Sequence, residues 1–232
     1  MFMLFDPVYL LFLLPGIALA GWASISVKSA ISKASKIRPS SGMSGAEAAA
    51  RILQGAGLHH VGIEQAQGFL GDHYDPRHKV LRLTPAIYQG RTLAAVGIAA
   101  HEAGHALQDA QAYAPLALRN GLVPMASVGS SLSWFLLIAG FVMHSTGLML
   151  GGILLFSVVV LFQIINLPVE FNASTRAREV LVDHGIVMRN ELAPVSKVLN
   201  AAAMTYVAAT ITAILQLLYF LYRSGLLGGS RN

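Results

Sequence analysis

The sequence predicts a mainly α-helical integral membrane protein, with about four transmembrane helices and a cytoplasmic unit that carries a small β-hairpin. Three observations lead there. Of the 232 residues, 55% are hydrophobic and only 12% are charged, about half the charged share of an ordinary soluble domain. The mean hydropathy is +0.60, and a soluble chain this short has too little interior to hide so much apolar surface. Four long apolar segments punctuate the chain, and Lys and Arg concentrate between them.

The first segment, Val8–Val27, is long enough to span a bilayer. It lacks the basic start of a cleaved signal peptide and reads as a retained helix. The second, Leu122–Met143, carries Ser127, Ser130, Ser131 and Ser133, residues that face neighbouring helices inside a membrane. The third, Leu148–Leu167, is strongly apolar. The fourth, Ala202–Tyr222, closes on Tyr219-Phe220-Leu221-Tyr222, an aromatic cluster suited to the membrane interface.

Charge sets the expected orientation. Lys28, Lys33, Lys36 and Arg38 crowd the end of the first segment, whereas the short N-terminus and the loop His144–Gly147 carry no Lys or Arg. Arg176, Arg178, Arg189 and Lys197 follow the third segment. By the positive-inside rule, the first loop and the third-to-fourth segment are cytoplasmic and both chain ends lie outside. This orientation accounts for the net charge of +5. The cations are not interleaved with aromatics, so the expected partner is a lipid bilayer and not nucleic acid. The resulting organisation is an N-terminal transmembrane helix (1–27), a cytoplasmic loop (28–120), a transmembrane hairpin (121–169), a cytoplasmic helix (170–201) and a C-terminal transmembrane helix with its tail (202–232).

Within the large loop, Ser44 and Glu47 form a capping box opening a helix over Ala46–Gln54, closed by Gly55 and Gly57. His60–Gln67 and His78–Leu83 read as strands. Gly68, Gly71, Asp75 and Pro76 lie between them, so a loose hairpin is expected. His59, His60, His73 and His78 have no fixed ligand spacing and read as solvent-exposed, not as a second metal site.

The chemistry sits in the next helix, Thr92–Gln111. It contains His101-Glu102-Ala103-Gly104-His105. Four residues make about one helical turn, so His101 and His105 share one face and can grip one ion. Glu102 flanks them, where a carboxylate can polarise a metal-held water; this is the H-E-x-x-H pattern of zinc-dependent peptide hydrolysis. Charged and imidazole groups arriving after the apolar run Thr92–Ala100 need a partner, and a metal supplies one. The chain has no Cys, so any zinc must use His and carboxylates.

Catalytic zinc takes three protein ligands and keeps one position for water. Gln111 stands where the extended metzincin pattern places its third His, which excludes that form. Asp109, one turn past His105, points along the helix surface. Glu170 is the better third ligand. It follows Asn166-Leu167-Pro168-Val169 and leads a helical stretch, Glu170–Val182, that Pro168 can redirect toward the motif helix. Glu170, Ser174 and Arg178 share one face at four-residue spacing.

His101-Glu-Ala-Gly-His105 and Asn166-Leu-Pro-Val-Glu170-Phe-Asn-Ala-Ser174 together resemble the bacterial neutral zinc metallopeptidases of the YugP-like type. The stretches 68–76 and 201–209 are similar as well, and the likeness covers nearly the whole chain. It implies a membrane zinc peptidase and supports Glu170 as third ligand. More distantly, the chain is similar to the heat-shock membrane proteases and prenyl-protein proteases, which follow H-E-x-x-H with Glu-Phe-x-Ala-Asp. Here Ser174 stands in place of that Asp, which is expected to orient a ligand histidine.

The expected assignment is a gluzincin-like zinc-peptidase unit at the inner (plasma) membrane. His101, His105 and Glu170 hold one catalytic Zn²⁺, with Glu102 as general base. The stabiliser of the developing oxyanion is open among Arg178, His184 and Tyr206. The substrate is a peptide or protein, membrane proteins included, and His78–Leu83 is the expected edge for β-addition of its backbone. Two alternatives stand beside this reading: an intramembrane-cleaving zinc protease, and a non-catalytic scaffold with a structural zinc. Glu102 discriminates against the scaffold, because structural sites close with four ligands and have no use for an idle Glu beside the first His.

Overall fold

The computed structural model describes residues 6–66 and 71–226. It is mainly helical: α1 (Pro7–Ala34), α2 (Gly45–Gly55), β1 (Gly62–Gln65), β2 (His73–Asp75), β3 (Val80–Leu83), α3 (Pro85–Tyr88), α4 (Leu93–Ala110), α5 (Ala114–Val142), α6 (Thr146–Asp183), a short 3₁₀ turn (Arg189–Glu191) and α7 (Leu192–Arg223). Four helical spans, holding α1, α5, α6 and α7, are long and apolar enough to cross a membrane. They cover the four apolar segments of the sequence apart from Met143, which lies just past α5, and extend beyond them.

The chain divides into two compact units. One comprises Met1–Trp22, Leu118–Leu167 and Thr205–Asn232; the other comprises Ala23–Ala117 and Pro168–Met204. The first unit has an aromatic core. Tyr9, Phe156, Tyr219 and Phe220 are buried there, with Phe156 and Phe220 stacked edge to face at 5.5 Å in the arrangement their quadrupoles favour. Tyr219 donates its hydroxyl to Asp6 at 2.9 Å, so its polar end is satisfied. Small side chains permit close helix packing: a Cβ on Gly152 would stand 2.7 Å from Leu137.

The second unit contains the H-E-x-x-H motif and Glu170. Its core joins Ile52 and Leu53 of α2, Leu81 and Leu83 of β3, Val96, Ala99 and Ala103 of α4, and Ala177 and Leu181 of α6. The capping box at α2 forms as the sequence predicts: Glu47 N–H donates to Ser44 Oγ at 3.2 Å, and Ser44 N–H donates to Glu47 Oε2 at 2.9 Å. Gly57, at φ +72°, takes the left-handed conformation that follows the helix end.

The sheet corrects the predicted hairpin. Its order is β1-β3-β2. The two expected strands, within His60–Gln67 and His78–Leu83, do pair, but in parallel, with Gly62 opposite Val80 and Gln65 opposite Leu83. The connection between them is long enough to return the chain to its starting end and to hold a further strand, β2. That strand forms the actual hairpin with β3, placing Tyr74 opposite Leu81. Its turn is set by Asp75, whose Oδ1 accepts from the backbone of Arg77 at 2.9 Å and of His78 at 3.3 Å. Lys79 completes the turn at φ +52°. The second correction follows: β3 lies in the middle of the sheet, so His78–Leu83 is not an edge. Val80, Leu81 and Leu83 are buried as a central strand requires, and the edges are β1 and β2. Gly68, expected in the hairpin loop, lies outside the described residues.

The third correction concerns α6. Glu170–Val182 is not a separate helix; it continues the apolar segment in one helix from Thr146 to Asp183, with Pro168 inside. Proline forfeits one helical hydrogen bond, and the turns on either side carry the helix through.

Candidate metal centre

Two helices of the second unit build the site. Thr92 caps α4, its hydroxyl accepting from Ala95 N–H at 3.2 Å. Beyond it, Ala94, Ala95, Ala99, Ala100, Ala103 and Ala106 are all buried. Alanine favours the helix and keeps its surface low, so α6 can approach closely. At Gly104 the approach leaves no space for a side chain: a Cβ there would lie 2.8 Å from the carbonyl oxygen of Ala173.

This contact brings Glu170 opposite the motif. His101 Nε2 lies 3.2 Å from Glu170 Oε2, and His105 Nε2 lies 3.7 Å from the same oxygen. The two imidazole rings stand 4.9 Å apart and nearly perpendicular, at 81°. Among the described residues, His101, His105 and Glu170 form the one group of three that can hold a metal ion, with all ligand atoms within 4.8 Å of one another. The donor set fits zinc. Tetrahedral Zn²⁺ with bonds near 2.1 Å sets its ligand atoms about 3.4 Å apart, between the two separations found. Three ligands also leave a fourth position for water.

Each histidine is held from behind. His101 Nδ1 lies 3.2 Å from Ser174 Oγ, and His105 Nδ1 lies 2.9 Å from Gln108 Oε1. Both contacts turn Nε2 toward Glu170. Ser174 thus faces His101 from the position where the proteases that the sequence distantly resembles are expected to carry Asp, but without charge. Glu102 is buried beside the pair. Burial pushes its carboxyl up to about 7; Glu170 and Asp72 add to the rise, while His101 and His73 oppose it. A carboxyl tuned to neutrality suits proton transfer, and a bound cation would draw it down again.

The other sequence candidates are placed elsewhere. Asp109 accepts from Tyr74 Oη at 2.6 Å and pairs with Lys79 Nζ at 2.5 Å. It ties the hairpin to the last turn of α4. Arg178 donates to Asn200 at 2.9 Å and Thr175 at 3.1 Å; it begins about 12 Å along the helix from Glu170. The His184 ring lies against Gly55 at the end of α2. Tyr206 belongs to the first unit. His59, His60 and His78 are exposed and His73 is half-buried. The sequence reading passed over Gln108, which is fully buried. Its three-residue spacing from His105 was the available signal.

The likeness to known proteins runs through all these elements. A family profile described as "Putative neutral zinc metallopeptidase" matches residues 9–225. A relative from Bacillus subtilis (strain 168), "Putative membrane protease YugP", is 44% identical over 213 residues, covering 92% of this chain and 95% of that protein. No solved structure matches significantly. With two histidines and a glutamate converging as a zinc site requires, and with a match spanning both units, the chain belongs to the neutral zinc metallopeptidase family.

Proposed function

We propose that this protein is a multi-pass zinc endopeptidase of the inner (plasma) membrane, with its metal site on the cytoplasmic side. The observation that carries the reading is the convergence of His101, His105 and Glu170, with Glu102 buried next to the first ligand. A glutamate as third ligand makes the unit gluzincin-like. The crowding of Lys and Arg into the segments that surround the site supports the cytoplasmic orientation. The substrate class is a peptide or protein.

Zinc bound there would lower the pKa of a coordinated water toward ~7 and polarise the scissile carbonyl. The chain's own groups do the rest. Ser174 and Gln108 hold the imidazoles with Nε2 forward. Glu102, shielded from bulk solvent, takes a proton from the attacking water and delivers it to the leaving amine. The β2 edge, next to the motif helix, takes the role first expected of His78–Leu83 and can accept an extended substrate backbone. The test is Glu102→Gln in purified full-length protein, with zinc content and cleavage of unfolded casein measured together. Zinc is retained, because Glu102 is not a ligand, and cleavage falls by about 10²–10⁴-fold. Undiminished cleavage excludes Glu102 as the base; zinc retained with no cleavage in the wild type favours the structural-zinc scaffold.

A further inference from the structure

His105 can offer Nε2 to a metal only in the tautomer that carries its proton on Nδ1. A directional chain of hydrogen bonds enforces that tautomer from the protein surface. Arg176 has donors and no acceptor. Its Nε donates to Asn172 Oδ1 at 2.7 Å, which fixes the oxygen end of that amide. Its Nη1 donates to Gln111 Oε1 at 2.6 Å, and its guanidinium lies over the Tyr113 ring, 5.9 Å from the centroid. The arginine is therefore held from two further sides.

The oriented Asn172 oxygen also accepts from Gln108 Nε2 at 2.9 Å. The same nitrogen donates to the Val169 carbonyl at 2.9 Å. Two acceptors at one end require that end to be the NH₂ group. The opposite end is then the oxygen, 2.9 Å from His105 Nδ1. It accepts only from a protonated Nδ1, so the lone pair is left on Nε2. Gln108 is fully buried, so no bulk water offers it an alternative partner.

We propose that Arg176, acting through Asn172 and Gln108, is a positioning residue that sets the tautomer of His105 and with it the affinity of the site for zinc. This deepens the zinc-peptidase reading and rests on it. The partner at His105 is an amide and not the carboxylate that usually backs a ligand histidine. Orientation here comes without negative charge, and the same holds at His101, where the partner is Ser174.

The experiment measures zinc dissociation constants of the detergent-purified full chain by competition with a chromophoric chelator. Gln108→Met removes the acceptor at near-constant volume and raises the constant about 10–100-fold. Gln108→Glu restores an acceptor at Nδ1 while losing both donated bonds, so it binds zinc at least as tightly as wild type. Arg176→Met frees Asn172 to turn its amide and weakens zinc about 10-fold. Combining Arg176→Met with Asn172→Asp, whose two oxygens accept in either orientation, restores wild-type affinity.

If Gln108→Glu is as weak as Gln108→Met, Gln108 merely bridges α4 and α6 and the proposal is overturned. Unchanged affinity in Arg176→Met removes the arginine from the chain and overturns it too. Wild-type protein that takes up no zinc overturns the zinc reading itself, a result distinct from either. The Arg176 variants alter a partly exposed position and keep the test sound if a Gln108 variant does not fold.

Discussion

Gly104 meets the backbone of Ala173 with no room for a methyl group: a Cβ there would stand 2.8 Å from the Ala173 carbonyl oxygen. This relationship sets how near α6 comes to the motif helix. One position on from Gly104 is His105, and one turn before Ala173 is Glu170. The separations of 3.2 and 3.7 Å between the two histidines and Glu170 therefore depend on it.

Gly104→Ala is expected to destabilise the second unit by about 1–3 kcal/mol through overpacking. The gain of ~1 kcal/mol in helix propensity does not offset this, because the clashing atom is backbone and cannot rotate away. Zinc affinity falls as well. Gly121→Ala, where a Cβ meets nothing within 4 Å, is the control: it keeps the propensity gain without a clash, so it leaves zinc unchanged and does not lower the melting temperature. Equal zinc binding by Gly104→Ala and wild type would show that the ligands tolerate a wider helix crossing.

The local rules made much of this legible. The capping box at Ser44, the N-cap at Thr92 and the one-turn spacing of His101 and His105 each depend on neighbours within four residues. The four apolar spans are read from composition alone. What escaped the sequence was set by distant partners. The strand His73–Asp75 is three residues long and acquires its pairing only from β3. The parallel pairing of β1 depends on how the intervening chain returns. Pro168 suggested a helix boundary, yet the flanking turns sustain the helix. Gln108 was visible one turn from His105, but its partners Val169 and Asn172 are about sixty residues away, and Ala173 is about seventy from Gly104.

The orientation is testable because the chain contains no cysteine. Single substitutions Arg77→Cys, at an exposed turn of the second unit, and Thr146→Cys, exposed at the start of α6, should fall on opposite sides of the membrane. In intact cells an impermeant maleimide labels Thr146→Cys and spares Arg77→Cys until the cells are lysed. The reverse pattern puts the metal site outside the cell and removes the cytoplasmic assignment.

The proposed third ligand carries the most weight, since Glu170 reaches the site only because α6 packs on α4. Two imidazoles alone bind Zn²⁺ weakly. Glu170→Ala should therefore raise the zinc dissociation constant by well over 10-fold. Glu170→Gln keeps the shape and loses the charge, so it should weaken zinc as well. Asp109→Ala is the matched control. Asp109 lies one turn past His105, but it serves Tyr74 and Lys79. Its loss strands a buried phenol and costs about 1–3 kcal/mol of stability while zinc stays near stoichiometric. Stability and metal content then separate: Glu170 variants lose metal, and Asp109→Ala loses stability with metal retained. If instead Asp109→Ala abolishes zinc binding and Glu170→Ala spares it, the ion sits at the other end of the motif helix and the His101, His105 and Glu170 site is wrong.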